Sequence, residues 1–209
     1  MAAPMTIIVI GVLVGGVDAI RTIVAALSTT LDAAVFVAMH IGSHKSDLPW
    51  LLDRLGTMSA SHATQGEQIR TGHILVAPPD RHATINSGKV ILTKGQRKNL
   101  ARPAIDPMFR SAARIYGADV IGVVLTDGLN DETAGLKEVK AQGGIAIARD
   151  PLDAAGKSMP KSAIANGAVD HVLPVPEIAP CSPGSSLKDR RRSLKRTAIT
   201  LQKILRGRV

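Results

Sequence analysis

Apolar runs and segments of helical spacing alternate along this chain, with polar turns between them. Continuous apolar, β-branched runs are typical of parallel strands buried on both faces, and they cover residues 6–10, 34–39, 73–77, 120–125, 145–148 and 169–173. Helical spacing covers residues 17–27, 48–55, 106–116, 133–142 and 159–166. This alternation predicts an α/β fold, a mostly parallel, doubly wound (Rossmann-like) sheet with helices on both faces.

Turn and capping residues mark the boundaries of several elements. Ser87-Gly88 separates two short strands, residues 83–86 and 89–93, and predicts a small β-hairpin. Asp47, Asp106 and Asp131 each stand just before a segment of helical spacing. Because a carboxylate at this position accepts unpaired N–H groups of the first turn, we expect all three to be N-caps.

The composition changes near residue 174. Residues 174–186 have the Pro- and Gly-rich composition of a linker, and residues 185–209 hold nine lysines or arginines against one acid. The net charge of the whole chain is +9, so the residues before the tail are nearly neutral. We expect one domain over residues 1–180, followed by a linker and a basic tail over residues 181–209.

The basic tail has three interpretations, which the sequence leaves open. It is a solvated extension, a basic amphipathic helix that binds an anionic membrane surface or an acidic partner, or a nonspecific nucleic-acid-binding segment. The last two predict salt-sensitive binding that is lost when residues 185–209 are deleted.

Composition disfavours several other classes of protein. Aromatic residues make up only 2% of the chain, which argues against binding single-stranded nucleic acid by base stacking. Cys181 is the single cysteine, so an internal disulfide and a CxxC site are excluded. No histidine pair has metal-ligand spacing, and no apolar run reaches the roughly 18 residues of a membrane span. We therefore expect a cytoplasmic protein without a transmembrane segment, a metal or a cofactor.

Candidate chemistry lies where the predicted parallel strands end. Residues 11–16 (GVLVGG) form the first strand-to-helix turn, His40 ends the second strand, and Asp131 follows the strand over residues 120–125. Ligands of open α/β sheets bind outside these carboxyl ends. A histidine base oriented by a carboxylate is the arrangement that activates a nucleophile for ester hydrolysis. The GxxxGG spacing differs from the GxGxxG of dinucleotide sites, and no acid ends the second strand, which disfavours a nucleotide site.

Several separate stretches resemble, in order and spacing, the catalytic domain of CheB-type chemotaxis methylesterases. They are residues 10–20 (IGVLVGGVDAI), Met39-His40, residues 77–82 (APPDRH), residues 102–113 (RPAIDPMFRSAA), residues 122–126 (GVVLT), Gly143-Gly144, Asp150-Pro151 and Met159-Pro160. The resemblance implies a Ser/His/Asp hydrolase of glutamyl methyl esters on chemoreceptors. His40 matches the family's histidine, Asp131 matches its aspartate, and Leu13 occupies the position of its serine.

The resemblance also implies which residues line the substrate and the oxyanion. These are Val14, Gly15, Gly128, Leu129 and His82. Arg102 and Arg110 have two open interpretations, as determinants of a helix start and as contacts to an acidic substrate.

Three positions depart from the family's pattern. Leu13 has no group that can attack a carbonyl, and Asp127 and Glu132 stand where the family has glycines. The two added carboxylates would make the site more negative and disfavour an oxyanion. We therefore expect esterase activity to be weak or absent.

The expected role is that of a degenerate methylesterase domain in chemotaxis or another phosphorelay signalling system. Its expected partner is a methylated chemoreceptor or a signalling protein. Because the first motif begins at Ile10, no receiver domain is expected before it. The alternative function is a catalytically dead module that binds receptors or signalling partners through the old substrate cleft.

Overall fold

The computed structural model describes residues 5–13, 15–28, 31–40, 45–97, 102–125, 131–153 and 167–178, with the backbone alone for residues 131–133. The strands are β1 (Thr6–Val12), β2 (Ala33–Met39), β3 (Ser59–His62), β4 (His73–Val76), β5 (His82–Asn86), β6 (Lys89–Thr93), β7 (Val120–Val124), β8 (Ile145–Arg149) and β9 (His171–Leu173). The helices are α1 (Val17–Ala26), α2 (Leu48–Leu55), α3 (Ile105–Tyr116), α4 (Asp131–Ala141) and α5 (Val175–Ile178).

Seven of the described strands form one sheet in the order β3-β4-β2-β1-β7-β8-β9, and every pairing in it is parallel. The chain winds outward from β1 through β2 and β4 on one side, and through β7, β8 and β9 on the other. The direction of winding changes at β1, which is therefore the switch point of a doubly wound sheet, where such folds bind ligands. β5 and β6 form a separate antiparallel hairpin.

The two faces of the sheet bury two separate apolar clusters, which explains why the strands are continuously apolar. In β1, Ile8 and Ile10 project into the cluster that contains side chains of α1 and α2, whereas Ile7 and Val9 project into the opposite one. That opposite cluster contains side chains of α3, α4 and the hairpin, including the fully buried Phe109. The fold class predicted from the sequence is therefore confirmed.

Several boundaries differ from the predicted ones. α4 begins at Asp131 rather than after it, so Asp131 is the first helical residue and not the residue before the helix. Asp106 lies inside the first turn of α3, which is preceded by Ala104 in extended conformation, and its carboxylate is buried beside Arg110. α5 lies inside the expected domain, in a stretch whose Pro-rich composition is typical of a linker. The helix predicted over residues 159–166 lies outside the described residues.

The edge strand β3 has no counterpart among the predicted elements, because its sequence is polar (SASH) and short. The His73 ring on β4 bridges two of its serines, with Nδ1 2.7 Å from the Ser59 hydroxyl and Nε2 2.9 Å from the Ser61 hydroxyl. The backbone N–H of Ala60 donates to the Asp53 carboxylate of α2 at 3.0 Å. Polar side chains thus stabilise this edge in place of an apolar strand sequence.

Candidate active site

Leu13 and His40 lie side by side at the carboxyl edge of the sheet. The last register pair of β1 and β2 is Val12 with Met39, and the next backbone N–H, that of His40, donates to the Val12 carbonyl at 3.2 Å. Leu13 and His40 are therefore the residues that directly follow two hydrogen-bonded parallel strands. Adjacent parallel strands are about 4.8 Å apart, so the two positions are close enough for their side chains to meet.

The turn after β1 is tight. The Gly16 N–H donates to the Leu13 carbonyl at 3.0 Å, and Gly16 is the residue before α1. Gly15 has a φ of 103°, a conformation that side chains rarely tolerate, although the space around it is open. The backbone, rather than crowding, therefore requires glycine at this position. Val14, predicted to line the oxyanion, lies outside the described residues.

His40 is half-buried, and its Nε2 is fully buried with no hydrogen-bond partner among the described residues. Burial lowers the pKa of the imidazole below its ordinary value of about 6.5, because desolvation disfavours the charged form. The lowered pKa favours the neutral ring, which is the protonation state that a general base requires. In a Ser/His/Asp site this nitrogen accepts the serine proton, whereas the neighbouring Leu13 has no proton to donate.

The acid arm of the predicted site follows β7, on the other side of β1. The Leu125 N–H, just after β7, donates to the Gly11 carbonyl at 3.1 Å, so β1 and β7 end at nearly the same level of the sheet. The next described residue after Leu125 is Asp131, the first residue of α4. Gly128 and Leu129 lie outside the described residues, and the role of the Asp131 carboxylate stays a prediction.

The contact of α3 with α4 positions the first turn of α4, which carries Asp131. A Cβ at Gly135 would lie 2.7 Å from the Phe109 Cβ and 3.2 Å from Oδ1 of the buried Asp106. Arg110 donates its Nε–H to the Asp106 carboxylate at 3.0 Å. Gly135 is one helical turn after Asp131, so its close approach to α3 positions the first turn of α4.

His82, predicted to line the substrate, is buried and held by the backbone on both sides of its ring. The Ala104 N–H donates to Nδ1 at 3.2 Å, so Nε2 carries the proton and donates to the Gln96 carbonyl at 3.0 Å. This neutral tautomer ties the end of the hairpin to the start of α3. The lining role stays a prediction, since no ligand contact tests it.

An ion pair between Asp80 and Arg102 lies beside this histidine, and sequence reasoning did not identify it. Arg102 donates its Nε–H to the Asp80 carboxylate at 2.8 Å, also donates from Nη2, and donates from Nη1 to the Gly95 carbonyl at 2.8 Å. Its hydrogen bond holds the pKa of Asp80 below its ordinary value. Asp80 has a φ of 58°, which the ion pair helps to maintain.

Arg102 therefore joins the turn at Asp80 to the segment after the hairpin, and its guanidinium is engaged in hydrogen bonds within the protein. The sequence offered little signal for this pair, because its members are 22 residues apart and a hairpin lies between them. No group of three or more metal-ligating side chains converges anywhere in the described part of the chain. No described helix is long and apolar enough to cross a membrane.

Comparison with known proteins shows which family this domain belongs to. The sequence model for CheB methylesterase matches residues 8–181. A Leptospira interrogans protein, named as a candidate protein-glutamate methylesterase/protein-glutamine glutaminase, is 39% identical over 175 residues, which cover 82% of this chain and 90% of that protein. An Anaeromyxobacter dehalogenans protein-glutamate methylesterase/protein-glutamine glutaminase is 34% identical, and the match covers 85% of this chain but 52% of that relative.

A solved structure has the same fold. The crystal structure of the Thermotoga maritima CheB methylesterase catalytic domain superposes with a TM-score of 0.79 at 34% identity, covering 84% of this chain and 96% of that domain. The family model, the relatives and the solved structure all agree. This chain belongs to the CheB methylesterase family.

Proposed function

We propose that this chain retains the substrate cleft of a protein-glutamate methylesterase but hydrolyses glutamyl methyl esters weakly or not at all. The proposed ligand is a methylated glutamate of a chemoreceptor or a related signalling protein. One observation carries the proposal: Leu13 stands beside His40, whose buried Nε2 has no hydrogen-bond partner among the described residues. A leucine at this point removes the group that the base would activate.

The missing step is the first covalent one. In a Ser/His/Asp esterase the serine oxygen attacks the ester carbonyl carbon while its proton passes to histidine, and methanol then leaves. Leucine has neither a lone pair nor a transferable proton. Loss of the serine in such a site lowers kcat by about 10⁶.

Direct activation of water by His40 is also disfavoured. The nitrogen that would accept the water proton is buried, so a water molecule cannot reach it without movement of the surrounding side chains. The carboxylates of Asp127 and Glu132, at the family's glycine positions, add negative charge on the acid arm. Negative charge near a developing oxyanion raises its free energy.

The test is methanol release from a methyl-labelled receptor by four proteins: the unmodified chain, Leu13→Ala, Leu13→Ser, and Leu13→Ser combined with His40→Ala. Leu13→Ala is the matched control, because it removes the leucine side chain without adding a hydroxyl. We expect the unmodified chain and Leu13→Ala to stay at background. Leu13→Ser is expected to exceed background by about 10² or more, and His40→Ala is expected to abolish that gain.

Two outcomes contradict the proposal. Turnover by the unmodified chain at an ordinary rate of about 1 s⁻¹ or more would show that another group replaces the serine. A folded Leu13→Ser variant with no gain would show that the cleft no longer supports the reaction.

A second candidate function is a binding module without catalysis. The buried Nε2 of His40, which has no hydrogen-bond partner among the described residues, favours it, because a buried nitrogen is poorly placed to take a proton from a reacting group. This function predicts that the unmodified chain binds receptor fragments, and that glutamate, glutamine and methyl ester at the central position give similar Kd values. A fragment that does not bind at all would exclude it.

A further inference from the structure

The segment after the hairpin turns its carbonyls inward and its side chains outward. The Arg102 guanidinium donates to the Gly95 carbonyl, and the buried His82 donates to the Gln96 carbonyl. With these carbonyls fixed to the interior, the Lys94 and Arg97 side chains project into solvent, and both are exposed. The hydrogen bonds to the Gly95 and Gln96 carbonyls thus fix the backbone that carries Lys94 and Arg97.

These cations form a local excess of positive charge. We define the basic rim as Arg81, Lys94 and Arg97, three exposed residues around the Asp80–Arg102 pair. Asp80 hydrogen-bonds to Arg102 and also forms a longer ion pair with Lys94, at 3.7 Å from the carboxylate. One carboxylate thus lies among four cations (Arg81, Lys94, Arg97 and Arg102), so these five residues together carry an excess of positive charge.

The basic rim lies at the same edge of the sheet as His40. β4 pairs with β2, and the Ala77 N–H just after β4 donates to the Val37 carbonyl at 2.8 Å. The turn at Pro79-Asp80 begins two residues after Ala77, and His40 is three residues after Val37, so both lie just beyond the carboxyl ends of neighbouring strands. The rim around Asp80 therefore borders the candidate cleft.

We propose that the basic rim is a docking surface for an acidic protein segment, namely carboxylate side chains that flank the residue entering the cleft. This inference rests on the proposed function and names the partner chemistry of the same site. The residues before the tail are nearly neutral overall, so this charge is local rather than part of a general basic character. Long, separately placed cations suit carboxylates distributed along a helix, and they steer association by long-range attraction.

The test compares two charge reversals of equal size in the full chain. The rim variant is Arg81→Glu with Arg97→Glu, and the matched control is Arg70→Glu with Lys89→Glu, two exposed cations away from the rim. Lys89 is at the opposite end of the hairpin from Lys94. The probes are a labelled helical peptide with a glutamate methyl ester between glutamates, the same peptide with the flanking glutamates changed to glutamines, and phosphatidylglycerol-containing vesicles.

We expect the rim variant to associate with the acidic peptide about tenfold more slowly at low salt, and the difference to shrink at high salt. The control variant and the neutral peptide are expected to show no such change. Equal slowing by both variants would assign the effect to net charge and overturn the proposal. Loss of vesicle binding with unchanged peptide binding would overturn it too. Methanol release by Leu13→Ser decides the proposed function separately from all of these outcomes.

Discussion

Gly11, on the strand that leads to Leu13, lies in close contact with α3, and Gly11→Ala probes this contact. A Cβ at Gly11 would lie 2.7 Å from Cγ2 and 3.1 Å from Cδ1 of Ile105. Ile105 is the first residue of α3 and is fully buried. Ordinary carbon–carbon contacts are about 3.5–4.0 Å, so strand and helix must separate by roughly 1 Å or Ile105 must leave its rotamer.

Either response is unfavourable. An off-rotamer side chain costs about 0.5–1.5 kcal/mol, and overpacking of a dense core typically costs about 1–3 kcal/mol. We expect Gly11→Ala to lower the free energy of unfolding by about 2 kcal/mol. The same displacement moves Leu13, two residues later, so methanol release by Leu13→Ser should also fall when Gly11→Ala is added.

The assay is equilibrium unfolding in urea for a double-mutant cycle with Ile105→Ala. Ile105→Ala alone is expected to cost about 2–5 kcal/mol, because it leaves a cavity. In the Gly11→Ala background it also removes the clashing Cγ2, so the two losses should fall short of additivity by about 1 kcal/mol or more. Additive losses, or a Gly11→Ala variant within about 0.5 kcal/mol of the parent, would refute the reasoning.

Three further predictions concern the walls of the site. Because burial lowers the pKa of His40, the imidazole takes up a proton at higher pH in the unfolded state than in the folded state. The free energy of unfolding should therefore fall as the pH drops below about 6.5 toward the folded-state pKa, and His40→Gln should flatten this part of a plot of urea midpoint against pH. Arg102→Lys keeps the charge beside Asp80 but loses the planar fork, so we expect a loss of about 1–3 kcal/mol and faster amide exchange after the hairpin; unchanged exchange would argue against the clamp. Gly135→Ala forces a Cβ to 2.7 Å from that of Phe109, and neither atom can rotate away, so a loss of about 1–3 kcal/mol in unfolding free energy is expected, with no loss as the contrary result.

Most of the sheet could be predicted because its strands are buried on both faces. β1 and β2 are continuously apolar over nearly their whole length, and that pattern has few other interpretations. β3 was not predicted because an edge strand needs no apolar pattern when side chains accept its outward-facing backbone N–H groups, as Asp53 does for Ala60. The start of α4 was predicted two residues late, since a carboxylate before a helix and one in its first turn have the same sequence pattern.

Positions that depend on strand ends were predictable from the sequence, whereas contacts between distant residues were not. His40 and Leu13 follow adjacent strands, so their proximity came from topology alone. The Asp80–Arg102 pair and the two backbone contacts of His82 join segments separated by the hairpin, and no local pattern encodes them. The burial of His40 Nε2, which has no hydrogen-bond partner in the described part of the chain, likewise depends on three-dimensional packing.

The polar edge at β3 has a consequence for how this molecule behaves at high concentration. Exposed edge strands invite pairing with a strand of another molecule, which is a route to aggregation. Here the Ala60 N–H that an incoming strand would need already binds the Asp53 carboxylate, and the His73 ring holds the neighbouring serine hydroxyls. An intruding strand would have to displace a charged group and desolvate it. The same contacts that build β3 therefore act as a barrier to polymerisation along the sheet.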